Sequence, residues 1–138
     1  MTAKEYLQQI GDKDYQLRLE REKLMKLRAA AEYRSPTFGE QGCGNGTDKS
    51  KALDKLVELE QKYDRMAADY LAEYTEADRL INSLDDAILR EVLERRYLLY
   101  QKWEEIAAAM HYDTRYIYKL HGKALARINR TLKDSIKV

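Results

Sequence analysis

From Leu53 to Leu84, ten positions follow one another in alternating steps of three and four residues: Leu53, Leu56, Glu60, Tyr63, Ala67, Tyr70, Tyr74, Ala77, Ile81 and Leu84. All but Glu60 are apolar or aromatic, and an α-helix is the structure that brings every third and fourth residue onto one face. At about 1.5 Å per residue the stripe runs roughly 45 Å. A seam of that length needs covering, by another helix of the chain, by a second chain, or by both. Its tyrosines read as core or oligomer interface rather than as a base-stacking platform.

The rest of the chain repeats the pattern. Leu7, Ile10, Leu17, Leu24, Leu27 and Ala31 recur at helical spacing between about Thr2 and Glu32. Ile10, Leu17, Leu24 and Ala31 keep a seven-residue step, but the companion positions Leu7, Asp14, Arg21 and Arg28 are mostly polar. That half-polar seam favours packing against a helix of the same chain over a self-sufficient parallel coiled coil. Between the two helical stretches, Pro36 and four glycines from Gly39 to Gly46 break any helix and carry no strand periodicity, so a flexible connector is expected. Asp48 or Ser50 is placed to cap the second helix, and Ser83 to cap a third, with Asp86 in capping-box position. Ile88, Leu89, Val92, Leu93 and Tyr97 should face inward on that third helix, which runs to about Tyr100.

The expected fold is therefore all-α. It comprises an N-terminal helix over 1–33 forming a helical hairpin or coiled coil, a Pro/Gly connector over 34–49, a long coiled-coil-like helix over 50–82, and a C-terminal helix-turn-helix module over 83–138. With 44% hydrophobic and 36% charged residues, the composition fits amphipathic helices and argues against disorder. No apolar run approaches the roughly 18 residues of a membrane span. Nor does the N-terminus have the layout of a signal peptide. Cys43 is the single cysteine and cannot form an internal disulfide. A cytoplasmic protein with no membrane partner is the expectation.

Charge points to the C-terminal end. The formal net charge is only +1, yet residues 1–81 hold 14 basic against 16 acidic side chains, whereas 111–138 hold 7 against 2. Positive charge at one end is the footprint that contact with phosphate requires. The same region has the spacing of a helix-turn-helix. Trp103, Ile106 and Met110 anchor a first short helix, and Ala107 and Ala108 are small enough for a second helix to cross closely. His111 and Tyr112 make the turn, and Asp113 is placed to cap the second helix. Ile117, Leu120, Ala124 and Ile128 form the buried face of that helix. On the opposite side lie Thr114, Arg115, Tyr118, Lys119, Gly122 and Lys123. Arg and Lys donate to guanine N7 and O6 or to phosphate, and a glycine admits close backbone approach. Lys133 and Lys137, farther along, are expected to reach phosphate only.

The strings Leu93-Glu-Arg-Arg-Tyr-Leu, Trp103-Glu-Glu-Ile-Ala and Ile117-Tyr-Lys-Leu-His-Gly-Lys-Ala-Leu resemble region 4 of sigma-70 factors. With the N-terminal helix, the Pro/Gly break and the long middle helix, the layout is similar to the small phage and prophage regulators related to late-gene activators of the RinA and ArpU type. The resemblance implies a promoter-binding transcription regulator with double-stranded DNA as partner, and RNA polymerase as a second one. His111 stands where many members have Gly, and His121 where sigma factors often have a core Leu.

Other chemistry finds no footing. Gly42 to Ser50 ends like a phosphate loop, but Asp48 precedes Lys49 where Gly is required, and no strand leads in. His111 and His121 have no Cys or acidic cluster beside them for a metal. No nucleophile, base and acid can be grouped, so no enzymatic activity, cofactor or small-molecule substrate is expected. Two rival readings remain: a protein-binding module for RNA polymerase or a sigma factor, and a DNA-packaging subunit of the small-terminase kind. Self-association through the N-terminal helices, as a homodimer, is expected because one partly polar helix cannot cover the long seam.

Overall fold

The computed structural model of the chain describes residues 1–34 and 46–136, with side chains for 1–32 and 51–133. Within these residues the fold is all-helical. Helix α1 spans Ala3–Arg34, α2 Gly46–Asn82, α3 Ala87–Leu93, α4 Trp103–Met110 and α5 Thr114–Ile136, and a π-helical turn over Glu94–Leu98 continues α3. The connector expected over 34–49 falls largely on 35–45, outside the described residues, as does Cys43. Its last residues belong to α2, which begins at Gly46, so Asp48 and Ser50 lie inside the helix rather than capping it. No described helix is long and apolar enough to cross a membrane.

The chain divides into two compact units, one made of residues 1–13 and 70 onward, the other of 14–69. The first holds a single core. Ala3, Leu7 and Ile10 of α1 and Ala77 and Ile81 of α2 are buried in the same cluster as Leu84, Leu89, Val92, Leu93, Ile106, Ile117, Leu120, Ala124 and Ile128. The expected module over 83–138 lies inside this unit, and the ends of α1 and α2 complete its core. Burying a Leu or Ile side chain contributes about 1.5–3 kcal/mol. Leu7, Ile10 and Ile81, each at most 2% exposed, thus supply several kcal/mol, a large part of the roughly 5–15 kcal/mol that holds a domain folded.

Local capping sets where these helices begin. Thr2 and Glu5 form a reciprocal box at the start of α1, the Thr2 N–H donating to the Glu5 carboxylate and the Glu5 N–H to the Thr2 hydroxyl, both at 3.2 Å. The Ala3 N–H, left over at a helix start, donates to Asn129 Oδ1 of α5 at 2.8 Å. Ser83 does not cap α3: its hydroxyl donates back to the Leu80 carbonyl and closes α2. Asp86 is the cap, accepting from the N–H groups of Ile88 and Leu89 at 2.9 and 3.2 Å. With α3 starting at Ala87, Leu89, Val92 and Leu93 turn inward, while Ile88, about 100° from Leu89 on the helix, is 42% exposed instead of buried.

In the second unit, α1 and α2 form an antiparallel hairpin tied by Arg28–Glu60 at 3.0 Å and Lys62–Glu20 at 3.6 Å. Such exposed pairs contribute about 0–1 kcal/mol each, and Leu24 is the buried apolar side chain here. Leu17, Ala31, Leu56, Tyr63 and Ala67 are half-buried. Leu27 is exposed, against expectation, because it lies about 60° round the helix from the buried Leu24, on the side away from Arg28. The long seam is graded, with Leu53 exposed, Leu56 to Tyr74 partly covered, and Ala77, Ile81 and Leu84 buried.

Candidate nucleic-acid interface

The C-terminal face is built by α4, a three-residue turn and α5. The Glu105 carboxylate accepts from the Lys102 N–H at 3.2 Å and fixes the start of α4. Ile106 is fully buried and Ala107 nearly so, while Trp103 and Met110 pack at the edge of the core. Ala108, expected with Ala107 at the helix crossing, faces solvent, because consecutive residues point about 100° apart. His111 ends α4 at φ 61°, ψ 40°, and its N–H donates to the Ala107 carbonyl. That left-handed conformation favours glycine, which is why an L-residue there carries strain. Asp113 then caps α5, its Oδ1 accepting from the Tyr116 N–H at 2.7 Å.

Helix α5 has two sharply different sides. Ile117, Ala124 and Ile128 are fully buried and Leu120 nearly so. Arg115, Tyr118, Lys119, Gly122 and Lys123 are exposed, and Thr114 is half-exposed at the helix start. A Cβ at Gly122 would meet nothing within 4 Å, so no packing inside the chain calls for that glycine. Arg127, Arg130 and Lys133 extend the same exposed side. Lys137 lies outside the described residues.

The electrostatics are equally lopsided. The nine ion pairs of the described residues all fall between Lys13 and Arg95. None involves the six cations Arg115, Lys119, Lys123, Arg127, Arg130 and Lys133, and no acidic residue occurs from Thr114 to Lys133. A row of cations with no carboxylate in ion-pair distance among the described residues, on a helix whose other side is anchored, presents its positive field to an outside anion.

Aromatic contacts brace this helix from behind. The Trp103 ring lies 4.9 Å from that of Tyr118 and 4.8 Å, edge-on, from that of His121. The Arg96 guanidinium sits 4.2 Å from the Trp103 ring centroid, a cation–π contact. His121, at a position where the sequence resemblance implies a core Leu, is half-buried. Its ring stacks on Tyr97, whose hydroxyl lies 2.7 Å from His121 Nε2. Burial, with Lys4 and Arg96 adding, pushes the His121 pKa down to about 4. Burial also raises Tyr97, against the opposing charge of Arg96. Both side chains therefore stay neutral at pH 7.

Arg115, Tyr118, Lys119, Gly122 and Lys123, which sequence reasoning placed on the outer side of the second helix, all lie on the exposed side of α5, while Thr114 stands half-exposed at its edge. Arg127 and Arg130 were missed, although Arg127 continues the four-residue ladder of Arg115, Lys119 and Lys123, and Arg130 follows three residues on. Tyr112 and Tyr116, exposed and paired edge-on at 4.9 Å beside the turn, were missed too. Nothing in the local pattern separates them from core tyrosines. No group of His, Cys, Asp and Glu able to hold a metal occurs among the described residues. No family model, curated protein or solved structure matches the chain.

Proposed function

We propose that this chain is a phage-type transcription regulator that binds promoter DNA by laying α5 in the major groove. The observation that carries the reading is the row of six cations along the exposed side of α5, none of them in an ion pair among the described residues. Arg115 and Lys119, in the first turns of the helix, are the candidates for base edges; Lys123, Arg127, Arg130 and Lys133 are candidates for phosphate. Tyr118, 49% exposed and resting on Trp103, supplies a rigid apolar edge of the kind that meets a thymine methyl. The short turn, the Asp113 cap and the resemblance of the C-terminal strings to sigma-70 region 4 support the same reading.

The test is a titration of labelled duplex DNA with the full chain at two salt concentrations about fourfold apart. If three cations engage phosphate, counterion release weakens binding by roughly 40-fold across that interval. No binding at the lower salt, or salt-independent binding, contradicts the proposal.

A second reading has one observation in its favour. Tyr112, Tyr116 and Tyr118 are all exposed, and exposed aromatics are enriched at protein interfaces. In this reading the helix meets RNA polymerase or a sigma factor. We also assign self-association to the hairpin over 14–69, where Tyr15, Leu19, Met25, Leu27, Leu53 and Val57 leave apolar surface in solvent. Light scattering of the full chain at micromolar concentration should give a dimer mass, and a monomer mass removes that assignment.

A further inference from the structure

A recess of the first unit is lined by residues of α1, the π-helical turn, α4 and α5. It has a volume of about 620 Å³, within the roughly 300–1,000 Å³ of small-molecule sites. One wall is a single face of α1, with Lys4, Leu7, Gln8, Gly11 and Asp12. The other is aromatic: Tyr97 and Tyr100 from the π-helical turn and its exit, Trp103 from the start of α4, and His121 from α5. Tyr97 belongs to the π-helical turn over Glu94–Leu98, and Tyr100 follows it in the left-handed conformation at φ 56°.

Charge and shape together define what fits. Arg96 lines the recess with its guanidinium fixed on two sides, by the Trp103 ring and by the Gln101 carbonyl, to which it donates at 3.0 Å. Neither Arg96 nor Lys4 has a carboxylate within ion-pair distance among the described residues. Both raise the positive potential at the His121 ring. Asp12 and Gln8 add acceptors on the opposite wall. His121 already packs against both Trp103 and Tyr97, so a flat ring in the recess would meet the exposed parts of Trp103 and Tyr100, its anionic group the two cations, and its N–H groups the Asp12 carboxylate.

Gly11 is the second sign. A glycine inside a helix is less favourable than an alanine, and a Cβ here would meet only the Tyr100 ring at 3.6 Å, an ordinary contact. Packing therefore does not require this glycine. What it does is keep the α1 wall low opposite the aromatic wall.

We propose that this recess is a binding site for a planar aromatic anion of about nucleotide size. Trp103 touches both the recess and Tyr118, so an occupant also bears on the exposed side of α5. That link rests on the DNA-binding reading; the site itself does not.

Trp103 is the only tryptophan of the chain, so its fluorescence reports occupancy of the full-length protein directly, with calorimetry as a second readout. Two series of probes separate the sources of the anion: nucleoside 5′-monophosphates, and aromatic carboxylates such as phenylpyruvate. Ribose 5-phosphate and the uncharged nucleosides are the controls. At least one series should saturate at or below about millimolar concentration, with both controls at least about tenfold weaker, the equivalent of roughly 1.4 kcal/mol. Gly11→Leu, which fills the recess from the α1 side, and Lys4→Gln, at an exposed position, should each weaken binding by about tenfold or more. Lys4→Gln serves alone if Gly11→Leu melts early. Absence of saturation in both series, or affinity unchanged in Lys4→Gln, overturns the site. Adding the bound probe to the DNA titration tests the link separately: an unchanged DNA affinity removes the link and leaves the site.

Discussion

Replacing Leu7 by alanine probes whether the start of α1 belongs to the same folded unit as α5. Leu7 is fully buried in a cluster whose other members lie mostly beyond residue 77. The substitution removes roughly three methyl or methylene groups at about 0.8 kcal/mol each. Incomplete closure of the cavity raises the total to about 2–5 kcal/mol. In a unit of under about 100 residues each kcal/mol moves the melting temperature by about 4–8 °C, so Leu7→Ala should lower it by on the order of 10 °C or more. The assay is thermal melting of the full chain, followed by far-ultraviolet circular dichroism and by the fluorescence of Trp103, which reports the first unit. Leu53→Ala is the matched control: that leucine is 51% exposed, and its loss should stay within about 0.5 kcal/mol. If Leu7→Ala melts like the parent by the Trp103 signal, α1 is not part of this core and the reasoning fails.

Three further outcomes follow from individual contacts. Asp113→Ala removes the acceptor that satisfies the Tyr116 N–H and should cost about 0.5–2 kcal/mol by denaturant melting, whereas an unchanged midpoint would mean the turn holds α5 without its cap. His121, held down to about 4 by burial and by Lys4 and Arg96, binds its proton in the unfolded chain first, near pH 6.5. Its contribution to stability is therefore complete above about pH 6.5 and is lost as pH falls through that value toward about 4; the melting temperature of the parent should fall more steeply over this window than that of His121→Gln, and parallel curves would contradict the assignment. Ile106→Ala, at a fully buried position, should cost about 2–5 kcal/mol, and a stability loss under about 0.5 kcal/mol would show α4 misplaced.

How far the sequence could be read depended on how local each determinant is. The buried side of α5 was legible because Ile117, Leu120, Ala124 and Ile128 repeat at helical spacing within one short segment, and the Asp113 cap is encoded one residue ahead of its helix. The start of α3 was misassigned to Ser83 because Ser83 and Asp86 are both good caps; the choice is made by Ser83 turning its hydroxyl back onto Leu80, which the sequence leaves open. Periodicity showed that Leu7 and Ile10 face something, yet not what: their partners lie more than sixty residues away, and the Ala3–Asn129 hydrogen bond joins residues 126 apart. The π-helical turn over Glu94–Leu98, which places Arg96 against Trp103, leaves no mark in the spacing of apolar residues. The outer side of α5 could be listed residue by residue, but that none of its cations has a carboxylate within ion-pair distance among the described residues is visible only in the structure.

The central claim, that α5 reads sequence rather than merely attracting DNA, is tested most directly by comparing Arg115→Ala and Lys119→Ala with Lys133→Ala on two DNAs. The cognate site comes from selection out of a random pool with the full chain, and a shuffled duplex serves as the second DNA. At least one of the first two variants should lose about 1–3 kcal/mol on the cognate site and much less on the shuffled one, because a base contact is lost only where the right base is present. Lys133→Ala should weaken both DNAs alike, as loss of a phosphate contact does. Equal losses on both DNAs for Arg115→Ala and for Lys119→Ala would contradict sequence reading, and a protein partner for this face would then be the better account.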